Sequence, residues 1–404
     1  MALELNKLTP QVEAMGQAMA VRQEDLQGRA AEALRVLNDR PEVTDELLDK
    51  IARARKMDAW RRGATPLGKR LDEQCRVMNA QPSATLIAAD GSQIYPDRHG
   101  IATYYLLNTG TIVFRTGSGQ APSTETAPTV FFEDAELFDS EGQVRTSDYI
   151  DAQRGRRELE ALVLLAEAER EAAGGDMSVP IIALLDGPLL PWLPPGGEDN
   201  QIARDELGFF AEQMWRLRAA RIVPIGYVDR PGSAFVLRIL ELVDLPLERI
   251  DRETLRQGRF RRLTDRLLFQ ELGPNTRSGL FTANSNANDR YEQISGGDRI
   301  AFAYLNVSRR PGTQNCIVVR IELPGWVAEN AALLDLAQAA VYDNCEPAGY
   351  PYVLARAHEL ALVTQQERSD FEAMLVQSML KNGLLPETSF KAENKRLTGS
   401  RRRG

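Results

Sequence analysis

The chain has 404 residues, of which 43% are hydrophobic and 26% charged, with a formal net charge of −8. Such a composition suits a globular chain of one large domain or two smaller ones and excludes a uniformly basic nucleic-acid binder. No run of about 18 apolar residues occurs, and the Met1 region lacks a basic-then-apolar signal, so the sequence predicts a cytoplasmic protein with no membrane span.

In chain order, residues 1–78 are rich in Ala, Leu, Glu and Arg and predict helices, with a break at Pro41-Glu42. Strand texture follows at 86–89, 102–107, 111–115 and 130–132, separated by Gly- and Ser-rich turns. Gly117-Ser118-Gly119-Gln120 lacks the Lys of a phosphate-binding loop and reads as a connection between strands. Any ATP-driven work therefore needs a partner. A long helix is predicted over 147–173, with Ser147 as N-cap and Gly174-Gly175 as its stop. A strand at 180–185, a helix at 203–220 and a strand at 221–228 come next.

Residues 233–272 read as helical and basic, and 273–297, rich in Asn, Ser and Gly, read as a mobile loop. Strands at 300–307 and 316–322 precede helices at 328–345 and 351–380. The order predicts an α/β fold with a mixed central sheet flanked by helices. Its expected parts are an N-terminal helical region (1–78), an α/β domain (79–385) with a helical and loop insertion at about 233–297, and a basic disordered tail (386–404). The cysteines Cys75, Cys316 and Cys345 are far apart, form no zinc motif and suit a reducing compartment.

Positive charge is clustered. Arg53, Arg55, Lys56, Arg61, Arg62, Lys69 and Arg70 form one stretch; Arg252, Arg256, Arg259, Arg261, Arg262 and Arg266 form a second; the tail carries Lys395, Arg396 and Arg401-Arg402-Arg403. Each cluster reads either as a solvated face or as a groove that tracks phosphates.

Two apolar runs meet Asp-Gly. Thr85-Leu86-Ile87-Ala88-Ala89 leads into Asp90-Gly91-Ser92, and Pro180-Ile181-Ile182-Ala183-Leu184-Leu185 leads into Asp186-Gly187. Asp-Gly is an ordinary turn dipeptide, yet neither copy lies in a two-residue hairpin between alternating strands. Two neighbouring strands that ended this way would aim two carboxylates at one place, as a hard divalent cation requires.

Glu158 borders the apolar stripe Leu159, Leu162, Val163 and Ala166 of the long helix. Glu160 lies about 200° away around the helix and is expected to face solvent, although it competes with Glu158 as a ligand. Of the two histidines, His99 follows Pro96-Asp97-Arg98 in a turn. His358 shares a helical face with Leu354, Ala357 and Ala361 and is expected to point inward, as a core residue or as a ligand. Asp, Glu, Asp and His in this order resemble the ribonuclease-H-like nucleases. Three carboxylates and an imidazole suit two divalent ions about 3.5–4 Å apart, which clamp the attacking and leaving oxygens of a phosphodiester. Carboxylates favour Mg²⁺ or Mn²⁺, and the imidazole tilts the choice to Mn²⁺.

The ordered set Ala89-Asp90-Gly91-Ser92, Leu185-Asp186-Gly187, Ile225-Gly226-Tyr227-Val228, Thr264-Asp265-Arg266-Leu267-Leu268, Arg277-Ser278, Arg320 to Trp326, and Gly349-Tyr350-Pro351 through His358 resembles the NurA nuclease family. The resemblance spans about 84–375. It implies a dimeric, Mn²⁺-dependent DNA nuclease with a ribonuclease-H-like core, acting as single-strand endonuclease and 5′–3′ exonuclease. It also implies a partner, the hexameric HerA ATPase, which feeds it DNA for end processing or phage defence. By motif position Asp90, Glu158, Asp186 and His358 take the catalytic, metal-binding roles, and Ser92, Arg230 and Arg277 are candidate DNA contacts. Many relatives carry Lys or Ser-Lys where this chain has Asp229-Arg230. Arg230 would replace that cation, while Asp229 would either add a carboxylate or repel DNA. The rival readings are a catalytically silent DNA-binding scaffold of a translocase complex and a ribonuclease-H-like enzyme acting on RNA or hybrid.

Overall fold

The computed structural model describes residues 4–57, 63–77, 83–97, 100–191 and 201–385. Arg61, Arg62, His99 and the tail 386–404 lie outside the described residues. Among the described residues, no helix is long and apolar enough to cross a membrane.

Strands paired both parallel and antiparallel, with flanking helices, give the α/β architecture expected from the sequence. Its first strands are β1 (Ala64–Pro66), β2 (Gln74–Arg76), β3 (Thr85–Ile94), β4 (Tyr105–Arg115) and β5 (Ser123–Phe131). Then come β6 (Ile181–Asp186), β7 (Ile222–Val228), β8 (Thr276–Ser278), β9 (Phe281–Ala283), β10 (Ile300–Asn306) and β11 (Val318–Pro324). The chain forms two compact units that are discontinuous in sequence. One comprises Met1–Gln81, Gly187–Leu190 and Ile225–Tyr350; the other comprises Pro82–Asp186, Pro191–Pro224 and Pro351–Gly404.

In the second unit β3 pairs antiparallel with β4 and parallel with β6, and β4 pairs antiparallel with β5. The apolar run of β3 does not stop at Asp90. It pairs on through Asp90↔Gly110, Gly91↔Thr109 and Ser92↔Asn108 to Ile94↔Leu106. The Asn108-Thr109-Gly110 segment, expected as a turn, is the middle of β4, where Asn108 and Thr109 are buried.

The helix Ser147–Ala172 starts one residue earlier than the sequence suggests. Thr146 is the N-cap, and its hydroxyl oxygen accepts from the Tyr149 N–H. Leu159, Leu162, Val163 and Ala166 are buried as expected. Ion pairs Arg156–Glu206 (3.0 Å) and Arg216–Glu167 (2.5 Å) join this helix to Gln201–Ala219.

The helix Tyr352–Ala361 crosses β3 and β4 at close range. A Cβ added at Gly110 would lie 2.6 Å from Ala361 N and 2.7 Å from Ala357 O, so only glycine lets this helix backbone approach the strand. Asn108 Nδ2 (2.8 Å) and Ser92 Oγ both donate to Ala361 O and pin the helix end. The single helix expected over 351–380 is in fact two. Leu362 adopts extended backbone, and Thr364 with Glu367 forms a capping box that opens Gln365–Lys381.

The first unit contains the helices Thr9–Asp39, Asp45–Met57 and Phe235–Val243, which bury Leu37, Ile51 and Leu240 with Leu71, Phe260, Phe281 and Phe302. Two expectations fail here. The region 1–78 is not helical throughout, because β1 pairs with β9 and β2 with β8. Nor is 273–297 a mobile loop: it supplies β8, β9 and the helix Asn286–Ile294. Its polar residues bond to neighbouring backbone. Asn288 donates to Ile300 O and accepts from Ile300 N, and Ser285 caps the helix.

Candidate metal centre

The parallel register of β3 and β6 sets the first two carboxylates. Ala88 pairs with Leu184, so Asp90 and Asp186, each two residues further on, fall on the same face of neighbouring strands. Asp90 sits within β3 with its side chain only 15% exposed, whereas Asp186 is the exposed last residue of β6. The next residue, Gly187, takes a φ of +102°, which only glycine adopts without strain.

Glu158 arrives from the long helix. A Cβ on Gly91 would lie 2.6 Å from Glu158 Oε1 and 2.8 Å from Arg154 Cγ, so the glycine of the first Asp-Gly makes room for this helix. Glu158 Oε1 is covered and accepts no hydrogen bond, and the Arg154 guanidinium lies 3.5 Å away. Burial pushes the Glu158 carboxyl up to about 8. Arg154 opposes that shift, while the negative charges of Asp90 and Asp186 reinforce it. Glu160 is exposed, which separates the two competing glutamates.

His358 departs from the inward position expected of it. Leu354, Ala357 and Ala361 are buried, but the His358 side chain is 64% exposed. It occupies the rim of the buried face, where its ring Nδ1–H donates to Asp90 Oδ2 at 2.7 Å. That contact excludes a core role for the histidine.

The fit to a divalent cation can be judged from these donors. Among the described residues no three His, Cys, Asp or Glu side chains converge tightly enough to hold an ion as they stand. The chemistry nevertheless fits. Two carboxylates share one face of neighbouring strands, and both act on a third whose covered oxygen accepts no hydrogen bond and whose proton is retained by burial despite Arg154.

The remaining candidates divide. Ser92 is half-buried and its hydroxyl donates to Ala361 O, so it positions the His358 helix. Arg277 is 7% exposed in β8 and donates to Ser278 O, which removes it as a phosphate contact. Arg230 is 83% exposed in the other unit, 3.9 Å from Asp229. Sequence reasoning missed Arg154, which donates to Gly91 O as well as facing Glu158. Its spacing of four before Glu158 was the available signal. It also missed Asp151, which accepts from Tyr95 Oη and Gln93 Nε2 and so ties the start of the helix to the end of β3.

The family model for the NurA domain matches residues 84–363. The chain belongs to the NurA family. Family membership makes it a nuclease, and the four residues described all fall within the NurA domain. The crystal structure of the NurA nuclease from Sulfolobus solfataricus superimposes with a TM-score of 0.52 at 11% identity, covering 94% of this chain and 98% of that one. At that identity the likeness shows a shared fold. Endonuclease V from Ciona intestinalis, solved with a DNA containing an inosine followed by a ribo-adenosine, gives a TM-score of 0.33 at 11% identity, over 72% of this chain and 87% of that one. A comparison with curated protein sequences gives no match.

Proposed function

We propose that this NurA-family nuclease hydrolyses DNA phosphodiesters at a divalent-metal centre formed by Asp90, Glu158, Asp186 and His358. The observation that supports the reading is the β3–β6 register, which puts Asp90 and Asp186 on one face of neighbouring strands, where both their charges act on Glu158. Two Mn²⁺ or Mg²⁺ ions, when bound, would supply an activated water and charge stabilisation for the departing 3′ oxygen.

The chain's own groups prepare that chemistry. Glu158 gives up its retained proton when positive charge arrives, which raises the site's affinity for cations as pH rises towards 8. Arg154 holds the Glu158 carboxylate and, through Gly91 O, fixes the strand that carries Asp90. The His358 N–H orients Asp90 Oδ2 and leaves Nε2 as the ring's second nitrogen for a ligand or a proton. Ser92 and Asn108 keep that histidine in place by clamping the end of its helix.

The wider reading is a cytoplasmic homodimer that works on DNA ends with a hexameric HerA-type translocase. The deciding experiment incubates the purified chain with labelled single- and double-stranded DNA and Mn²⁺. Degradation is expected, with loss in EDTA and in Asp90→Ala or Asp186→Ala. Variants that cut as well as the parent would refute the site. The rival is a silent DNA-binding scaffold, which gains from the loose spacing of the ligands; it predicts DNA binding without Mn²⁺-dependent cleavage.

A further inference from the structure

The basic stretch 252–266 finds no use in the metal centre. In the first unit it folds against the helix Phe235–Val243 and, with it, lines an open cavity of about 910 Å³. That volume is within the range of small-ligand pockets. Five of its lining residues are arginines: Arg238, Arg252, Arg256, Arg261 and Arg262. The two lining carboxylates are engaged by the walls themselves, Glu241 accepting from Phe260 N and Glu253 from Gln257 Nε2. Among the described residues no carboxylate pairs with Arg252, Arg261 or Arg262. Arg259, just outside the lining, is by contrast neutralised by Glu32 and Asp244.

A second observation is independent of charge. Arg262 is held at a φ of +71°, a left-handed conformation costly for a side chain of this kind. The strain directs an arginine to the cavity wall at a position where glycine would cost nothing. The helix N-terminus is not the source of the site, because buried Asp265 already accepts from Val236 N and Leu237 N. Leu237, Phe260 and Leu263 lie buried beneath it, so the surface offered to a ligand is mainly that of the arginines. Guanidinium groups bind phosphate oxygens in bidentate pairs, and their planar faces stack on aromatic rings such as a base.

We infer that this cavity binds a nucleoside phosphate, either a free mononucleotide or one nucleotide of a strand. The inference is independent of the metal centre, so the two fail separately. Full-length protein in EDTA is titrated calorimetrically with deoxyadenosine 5′-monophosphate, inorganic phosphate and deoxyadenosine. The monophosphate binds more tightly than either fragment. Its affinity falls about tenfold or more in Arg252→Glu/Arg261→Glu, and less in Arg252→Gln/Arg261→Gln, which guards against misfolding of the reversed-charge variant. Asp90→Ala/Asp186→Ala binds it like the parent.

A labelled oligothymidylate separates the sources. If it binds more tightly than the mononucleotide with the same arginine dependence, the ligand is a strand; if not, it is a free nucleotide. No binding of the monophosphate, binding unchanged in both arginine variants, or equal competition by hexaglutamate would overturn the assignment.

Discussion

The two Asp-Gly segments share a sequence and differ in everything the backbone does with it. At Asp90-Gly91 the strand runs on for four more residues, and the glycine serves packing, since its missing Cβ is the space in which Glu158 and Arg154 lie. At Asp186-Gly187 the strand ends, and the glycine serves conformation, with a φ of +102° and nothing within 4 Å of the position of its Cβ. One dipeptide thus sets two carboxylates on the same face of neighbouring strands by two routes. The lesson is that an Asp-Gly after an apolar run can close a strand, as in β6, or lie within one, as in β3.

The comparison can be broken most severely at the carboxylates. Asp90→Ala and Asp186→Ala should each lower Mn²⁺-dependent cleavage by about 100-fold or more, measured as initial rates on labelled DNA. Asp90→Ala should also release His358, whose ring nitrogen then loses its partner, visible by NMR as a changed ring N–H resonance and faster exchange with solvent.

The glycines give the next effect. Gly91→Ala must displace Glu158 and Arg154 and is expected to cost about 1–3 kcal/mol and to lower cleavage strongly. Gly187→Ala carries only backbone strain, about 1–2 kcal/mol, with a smaller change in rate. Denaturant unfolding and rate measurements on the pair check this. Equal losses of activity would erase the distinction between packing and conformation.

A third effect concerns pH. The Glu158 carboxyl keeps its proton in the folded chain up to about pH 8, while in the unfolded chain it titrates near its ordinary value of 4.5. Between those values the folded state binds the extra proton, so metal-free stability falls as pH rises through that window. Glu158→Gln should flatten the fall in denaturant midpoints measured from pH 5 to 8. The smallest effect is expected at Glu160→Ala, an exposed position, with stability changed by no more than about 0.5 kcal/mol and cleavage unaltered.

Much of the second unit was legible in the sequence. Apolar runs marked β3 and β6, the 3.6-residue stripe marked the long helix, and the same stripe favoured Glu158 over Glu160. What was hidden depends on tertiary partners. Asn108-Thr109-Gly110 reads as a turn because its polar residue and its glycine both serve the helix that lies across β4. His358 fits an inward stripe, yet it stands at the stripe's rim, where one helical position separates burial from exposure. In the other unit, 273–297 looked mobile because its Asn and Ser side chains are polar, and it is ordered because those side chains bond to neighbouring backbone.

The central claim is that Asp90, Asp186 and Glu158 form a cation site held open by a retained proton. Calorimetric titration of Mn²⁺ into the apo chain near pH 6.5, in two buffers of different ionisation enthalpy, tests it most directly. The account predicts binding that releases about one proton, with the release lost in Glu158→Gln and binding itself lost in Asp90→Ala/Asp186→Ala. Mn²⁺ binding that is equal in the parent and in the double-alanine variant would contradict it.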